Sequence, residues 1–217
     1  MPPLLFGEFV GMTVFFVSDT HFNHRRIIDY CARPFGSVKE MNQGIIERWN
    51  SIVHDDDTVF HLGDVYFFTN ERENIESVEH DRKDFFQIMR QLRGHKFLIK
   101  GNHDTESDSV YTADGCFEKA YDYPILYDGF FMLSHEPLLL SQTTPYFNLY
   151  GHVHNDTRYA NTSTSRCVCV ERTDYAPISI EQIKHDAMAL LLKDEANRLK
   201  NKRKGIHNGC LFFYFKN

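Results

Sequence analysis

Hydrophobic positions along the chain follow two different periods. The run "TVFFVSD" at 13–19 is short, β-branched and aromatic, and is cut off by polar residues, which predicts a buried strand. From Ser37 the spacing becomes helical: Ser37 and Glu40 form a capping box, and Met41, Ile45, Trp49, Ile52 and Val53 recur on one face. "DTVFHLGD" at 57–64 predicts a second strand. A charged stretch then leads into a helix in which Phe85, Phe86, Met89 and Leu92 share a face and which Gly94 closes. "KFLIKGNHD" at 96–104 is a third strand running into a loop. Strands separated by helices predict βαβ units and a largely parallel sheet.

The second half reads differently. "PILYDGFFMLSH", "YFNLYGHVH" and "RCVCVER" are apolar runs with short connections, which predicts antiparallel or mixed pairing. Ser179 with Gln182 caps a long helix to about residue 200, with Ile183, Ala187, Leu190 and Leu191 turned inward. No internal repeat interrupts the pattern, so residues 1–217 are expected to form a single α/β domain with a C-terminal helix and short tail from about 179.

Several of the apolar runs end in polar clusters: "SDTH", "LGD", "KGNHD", "LSHE" and "YGHVH". In open α/β sheets ligands bind beyond the carboxyl ends of the strands, so these clusters are expected to converge in one crevice.

Composition narrows what that crevice does. The 217 residues are 42% hydrophobic, enough for a sizeable core, and the net charge of -6 disfavours extended nucleic acid, whose binding needs a basic surface. No apolar stretch reaches bilayer length, and the opening "MPPLLFGEFVG" lacks a basic leader and carries Glu8, so a cytoplasmic protein without a membrane partner is expected. Cysteines at 31, 116, 167, 169 and 210 form no Cys-x-x-Cys pair and are odd in number, which predicts small core residues rather than a disulfide framework. Twelve histidines prompt a search for metal-ligand spacing.

The pooled clusters offer Asp19, His21, Asp64, Asn102, His103, Asp104, His135, His152 and His154. Imidazoles mixed with carboxylates and an amide suit borderline divalent ions, with manganese first and iron, zinc, cobalt or nickel as alternatives. The set is too large for one ion and about right for two, bridged by a carboxylate, the usual arrangement for hydrolysing phosphate esters.

The ordered motifs Asp19-Thr20-His21, Gly63-Asp64, Gly101-Asn102-His103-Asp104, lone His135 and Gly151-His152-Val153-His154 resemble those of the calcineurin-like metallophosphoesterases. "SDTHFNHRRIIDYCARPF" and "DYAPISIEQI" look like a small bacterial and phage branch of that superfamily. The resemblance implies a four-layer α-β-β-α sandwich of two mixed β-sheets flanked by helices. It implies that Asp19, His21 and His154 hold one metal, that Asn102, His135 and His152 hold the other, and that Asp64 bridges them. His103 would act on the substrate, with Asp104 as its orienting partner. Two divalent ions, two aspartates and a shared hydroxide leave a centre of about +1, which attracts a phosphate and poises the hydroxide for in-line attack. His103 would then protonate the leaving oxygen.

These readings lead to a hydrolase for phosphodiester bonds of a small nucleotide or related ester, with a phosphomonoesterase on the same metals as the alternative. A nuclease or a non-catalytic scaffold on this fold ranks below both. Substrate contacts are sought at His24, Asn102, His103 and Arg33, the last as a bidentate phosphate clamp. His61 lies inside a strand and is expected to be packed there. The basic run "RLKNKRKG" at 198–205 reads as a solvated helix end, and "CLFFYF" at 210–215 as an edge strand or patch cover that leaves a homodimer open.

Overall fold

In the computed structural model the described residues are 12–68, 75–141 and 144–202. The opening "MPPLLFGEFVG", the run "CLFFYF", Cys210, His207 and the end of the basic run therefore lie outside the described residues.

Two mixed sheets flanked by helices make up the fold. The first contains β1 (Val14–Val17), β2 (Thr58–His61), β3 (His95–Ile99), β4 (Lys119–Tyr121) and β9 (Ile178–Ser179), ordered β4-β3-β2-β1-β9. Its first four strands run parallel, as the βαβ pattern predicts, and β9 pairs antiparallel to β1. The second holds β5 (Ile125–Tyr127), β6 (Phe131–Leu133), β7 (Phe147–Tyr150) and β8 (Ser165–Cys167), with β5–β6 antiparallel and β6–β7–β8 parallel.

Alternation along β1 divides the core. Phe15 and Val17 pack with Met41, Ile45, Trp49, Phe85 and Met89 from α2 (Val38–Ile52) and α3 (Ile75–Met89). Phe16, on the opposite face, packs with Phe60, Ile99, Phe131, Leu133, Phe147 and Leu149, which fills the space between the sheets. α5 (Ile180–Lys202) adds Ile183 and Ala187 to this second cluster, while Leu190 and Leu191 are only half-buried because the helix runs on past the sheet edge.

Helix starts follow the capping signals. Ser37 Oγ accepts from the Glu40 N–H at 3.1 Å and Ser179 Oγ from the Gln182 N–H at 3.1 Å. α3 stops at Met89, short of the expected closure at Gly94, so Leu92 packs from the turn beyond the helix; Gly94, at φ +88, turns the chain into β3, while Lys96 Nζ donates to the carbonyls of Leu92 and Gly94. Four elements carried no sequence signal: the short α1 (Arg25–Tyr30), α4 (Asp108–Tyr111), the three-residue β4 and the two-residue β9.

The sheets meet where the polar clusters lie. Ser18, at the end of β1, bridges to Cys169, and Val168 N–H donates to the Tyr150 carbonyl at the end of β7. This joint holds the carboxyl ends of β1, β2, β3, β6 and β7 around one crevice.

Candidate metal centre

Each cluster leaves its strand through a sharp turn. Asp19, His21, Asp64, His152 and His154 all have left-handed backbones, with φ of 59, 47, 58, 67 and 46°, conformations that Asp and His tolerate better than most residues. The motif glycines sit where backbones or side chains touch. A Cβ on Gly63, at φ +95, would lie 2.5 Å from the Gly101 nitrogen and from His135 Nδ1. One on Gly101 would meet Asp64 Oδ1 at 2.2 Å, and one on Gly151 would meet Ser18 Oγ at 1.9 Å. Glycine is required there by close approach rather than by turn chemistry alone.

The turns bring seven of the expected side chains together. His21 Nε2 lies 3.8 Å from Asp19 Oδ1, and His154 Nε2 lies 3.5 Å from the same oxygen. Asp64 Oδ2 is 3.5 Å from His21 Nε2 and 3.5 Å from His135 Nε2, and so stands between two groups of donors. In the second group His135 Nε2, His152 Nδ1 and Asn102 Oδ1 are mutually 2.9–3.1 Å apart. Ligands about 2.1 Å from a common ion are separated by roughly 3.0–3.4 Å, so the second group fits directly and the first, at 3.5–3.8 Å, needs only a few tenths of an ångström of closure. Among the described residues, Asp19–His21–His154 and Asp19–Asp64–His135 each place ligand atoms close enough for one cation.

Hydrogen bonding alone does not satisfy this arrangement. Asp19 Oδ1 and His21 Nε2 are buried without a partner. His135 Nδ1 faces the Leu62 carbonyl at 2.8 Å, so it carries the proton and Nε2 points a lone pair at the Asn102 oxygen, another acceptor. Buried orphans and opposed lone pairs are costly alone and are resolved by a cation. The titration of the groups agrees. Burial, with Asp19 adding to it, raises Asp64 despite His135, whereas burial and the surrounding cations hold His21 well below its usual range. Burial also opposes a proton on His154, yet the Cys31 thiol, Glu171 and Asp19 lift it to about 11, marking a place that attracts positive charge. The residues fit divalent metal.

The supporting contacts include two corrections. Arg33 does not clamp a phosphate: its side chain is 0% exposed, donates to Glu171 at 2.6 Å and reaches the carbonyls of Thr20 and Asp19. Asp104 does not orient His103. Its carboxylate turns under the loop and accepts the N–H groups of Asp64, Gly101 and Val65 at 2.6, 2.8 and 3.0 Å. Burial, reinforced by Asp64, pushes that carboxyl up to about 7 against these three donors. Asp104 therefore shapes the backbone that carries Asp64. Asp19 is held likewise, because its Oδ2 accepts from Ser18 Oγ at 2.6 Å, the His152 N–H at 2.8 Å and the Cys169 thiol at 3.2 Å, leaving Oδ1 for a ligand.

Around the centre, His103 is exposed, with its ring 5.4 Å from that of His21, and its N–H donates to Asp64 Oδ1 at 2.9 Å. His24 stacks on Phe67 at 4.3 Å beside His21, and burial first, then His103 and Arg33, lower it to about 4. His61 is packed as expected and faces Thr20 Oγ1 at 2.9 Å. His54, His80, His95 and His185 are exposed and face Asp57, Asp84, Glu118 and Asp186 instead. The four described cysteines are buried and free. Sequence reasoning missed Glu171, whose carboxylate faces His154 Nδ1 at 2.9 Å. A signal was present, because "VCVER" is one more apolar run ending in a polar residue.

Three comparisons bear on this geometry. A family model described as calcineurin-like phosphoesterase matches residues 12–208. The uncharacterized protein MJ1445 of Methanocaldococcus jannaschii is 32% identical over 179 residues, covering 78% of this chain and 88% of its own. The crystal structure of the protein of unknown function AQ665 from Aquifex aeolicus superposes with a TM-score of 0.57 at 26% identity, covering 81% of this chain and 99% of that one.

Proposed function

Because the chain belongs to the calcineurin-like phosphoesterase family, we propose that it is a two-metal hydrolase for phosphodiester bonds of a small nucleotide or related ester. The observation that carries this reading is Asp64 Oδ2, placed 3.5 Å from both His21 Nε2 and His135 Nε2 beside the orphaned Asp19 Oδ1. Asp19, His21 and His154 would hold one ion, Asn102, His135 and His152 would hold the second, and Asp64 would serve both. When bound, the ions supply Lewis acidity, with manganese the first candidate: they polarise phosphoryl oxygens and acidify water near neutral pH.

The protein's own groups do the rest. Asn102 and His152 are exposed whereas Asp19, His21 and Asp64 are buried, so a phosphate enters from the Asn102 side. His103 stands on that side and donates a proton to the leaving oxygen, a role suited to an exposed imidazole. His24 lines the neighbouring wall and contacts the phosphate. Arg33 is occupied by Glu171 and two carbonyls, so its guanidinium has no donor left for the substrate. That supports a singly charged diester over a dianionic monoester.

The test is elemental analysis with manganese-dependent hydrolysis of bis(p-nitrophenyl) phosphate and p-nitrophenyl phosphate, for wild type and Asp64→Asn. Two metals per chain, faster diester turnover and loss of both metal and activity in the variant are expected. Faster monoester turnover would make the protein a phosphatase, and absence of bound transition metal would overturn the two-metal reading.

A further inference from the structure

Beneath the centre lies an ion pair that the proposed reaction does not use. Arg33 Nε and Nη2 donate to Glu171 Oε1 at 2.9 and 2.6 Å, and the two side chains are 0% and 3% exposed. Nη1 and Nη2 also donate to the carbonyls of Thr20 and Asp19 at 2.8 and 2.7 Å. Glu171 Oε1 in turn faces His154 Nδ1 at 2.9 Å. The pair thus links residues 138 apart in sequence and grips both the turn that carries Asp19 and His21 and the imidazole that completes their group.

Stability alone does not account for it. A buried ion pair gives little net stabilisation, since desolvation offsets the attraction and well-packed apolar residues often do as well. What apolar residues would lack is direction. A carboxylate at Nδ1 keeps a proton there and turns Nε2 towards Asp19 Oδ1, 3.5 Å away, so that Nε2 is the nitrogen that gives up its proton and offers its lone pair to an ion. His135 is fixed differently, by the neutral Leu62 carbonyl. A carboxylate partner makes an imidazole a stronger donor than a carbonyl does, so the two ligand groups differ in kind.

We propose that Glu171, held in place by Arg33, is a positioning residue that sets the tautomer, direction and donor strength of His154, and thereby the affinity of the ion held by Asp19, His21 and His154. The inference rests on the metal-centre reading above. Glu171 touches neither the ion nor the substrate, and its effect passes through His154. The other ion, held by Asn102, His135 and His152, shares only Asp64 with the first group, and His135 takes its direction from the Leu62 carbonyl rather than from Glu171.

Calorimetric titration of manganese into the metal-free full-length chain, with elemental analysis, separates these statements. Wild type takes up two equivalents. Glu171→Gln weakens one of them by about 10- to 100-fold and leaves the other in place. The manganese concentration for half-maximal activity rises by the same factor, while turnover at saturating manganese recovers. The double variant His154→Ala/Glu171→Gln binds no more weakly than His154→Ala alone, because the two act as one unit. Should Glu171→Gln fail to fold with Arg33 left uncompensated, Arg33→Met/Glu171→Gln removes both charges and reports the same affinity change. Two unchanged equivalents in Glu171→Gln, or full additivity with His154→Ala, would overturn the role of Glu171 while sparing the metal centre. A wild type that binds no manganese would overturn both.

Discussion

Gly151→Ala tests how closely the centre is packed, and its size can be worked from contacts. The new Cβ would lie 1.9 Å from Ser18 Oγ, 2.4 Å from Asp19 Oδ2 and 2.7 Å from Ser18 Cβ. Non-bonded carbon normally keeps about 3.5 Å from its neighbours, so Asp19 must move by roughly 1 Å and Ser18 by more. Rotating the serine hydroxyl does not help, because its Cβ clashes too. Both residues are fully buried, and Asp19 Oδ2 is tied to Ser18 Oγ, the His152 N–H and the Cys169 thiol. Overpacking costs about 1–3 kcal/mol and one broken buried hydrogen bond adds about 1–3, which puts the loss at about 2–6 kcal/mol. A misplacement of about 1 Å at a working group costs on the order of 100-fold in rate. Urea unfolding, manganese stoichiometry and ester hydrolysis would read the three effects together. Gly129→Ala is the control: its φ is +63 and nothing lies within 4 Å of a Cβ there, so only backbone strain of about 1–2 kcal/mol is expected, with metal and activity intact. Gly151→Ala that keeps both metals and turnover within about threefold of wild type would refute the packing argument.

Three other outcomes follow from the same geometry. His103→Ala should lower turnover by about 10²- to 10⁴-fold at unchanged manganese content, and loss of metal together with activity would make His103 a ligand instead. Burial, with His135 adding to it, lowers His61 to about 3, so the folded state holds this proton more weakly than the unfolded chain. Its contribution to stability is then complete above about pH 6.5 and falls as pH drops towards 3. In urea melts between pH 5 and 6, His61→Gln should lose up to about 1.4 kcal/mol per pH unit of the wild-type slope, and equal slopes would contradict this. Manganese at about 100 times its dissociation constant should raise the unfolding free energy by about 2.7 kcal/mol per site, and Asp64→Asn should lose most of the gain in a thermal melt.

Local patterns predicted what is locally determined. The strand-end clusters were legible because each motif is short: an apolar run, in three of the five a glycine where chains touch, then donors of the right chemistry. Long-range pairing was not. Arg33 stands among residues expected to meet phosphate, yet its partner is Glu171 on the turn after β8, and no spacing announces a contact across the whole fold. Asp104 misled for the opposite reason. Adjacency to His103 suggested a shared task, but the loop sends its carboxylate back to the N–H groups of Asp64, Val65 and Gly101. β9 has two residues and the antiparallel register Phe15↔Ser179, too short for any period to show.

The backbone at the five left-handed candidate ligands explains why the donors take the residue types they do. In an extended strand, residues i and i+2 share a face but stand roughly 6.6 Å apart, too far to serve one small cation. Asp19 Oδ1 and His21 Nε2 are 3.8 Å apart, because φ is positive at both residues and the chain coils back on itself. Each such turn costs about 1–2 kcal/mol in a non-glycine residue, least for Asp, Asn and His, whose side chains are enriched in that region. Asp19 and His21 recover part of the cost by donating their N–H groups to the carbonyls of Gly63 and Asp64, which locks the first cluster to the second. Residue chemistry and backbone tolerance therefore select the same letters at these positions. The motif Asp-x-His is as much a description of a turn that only a few residues can make as of the ion it can hold.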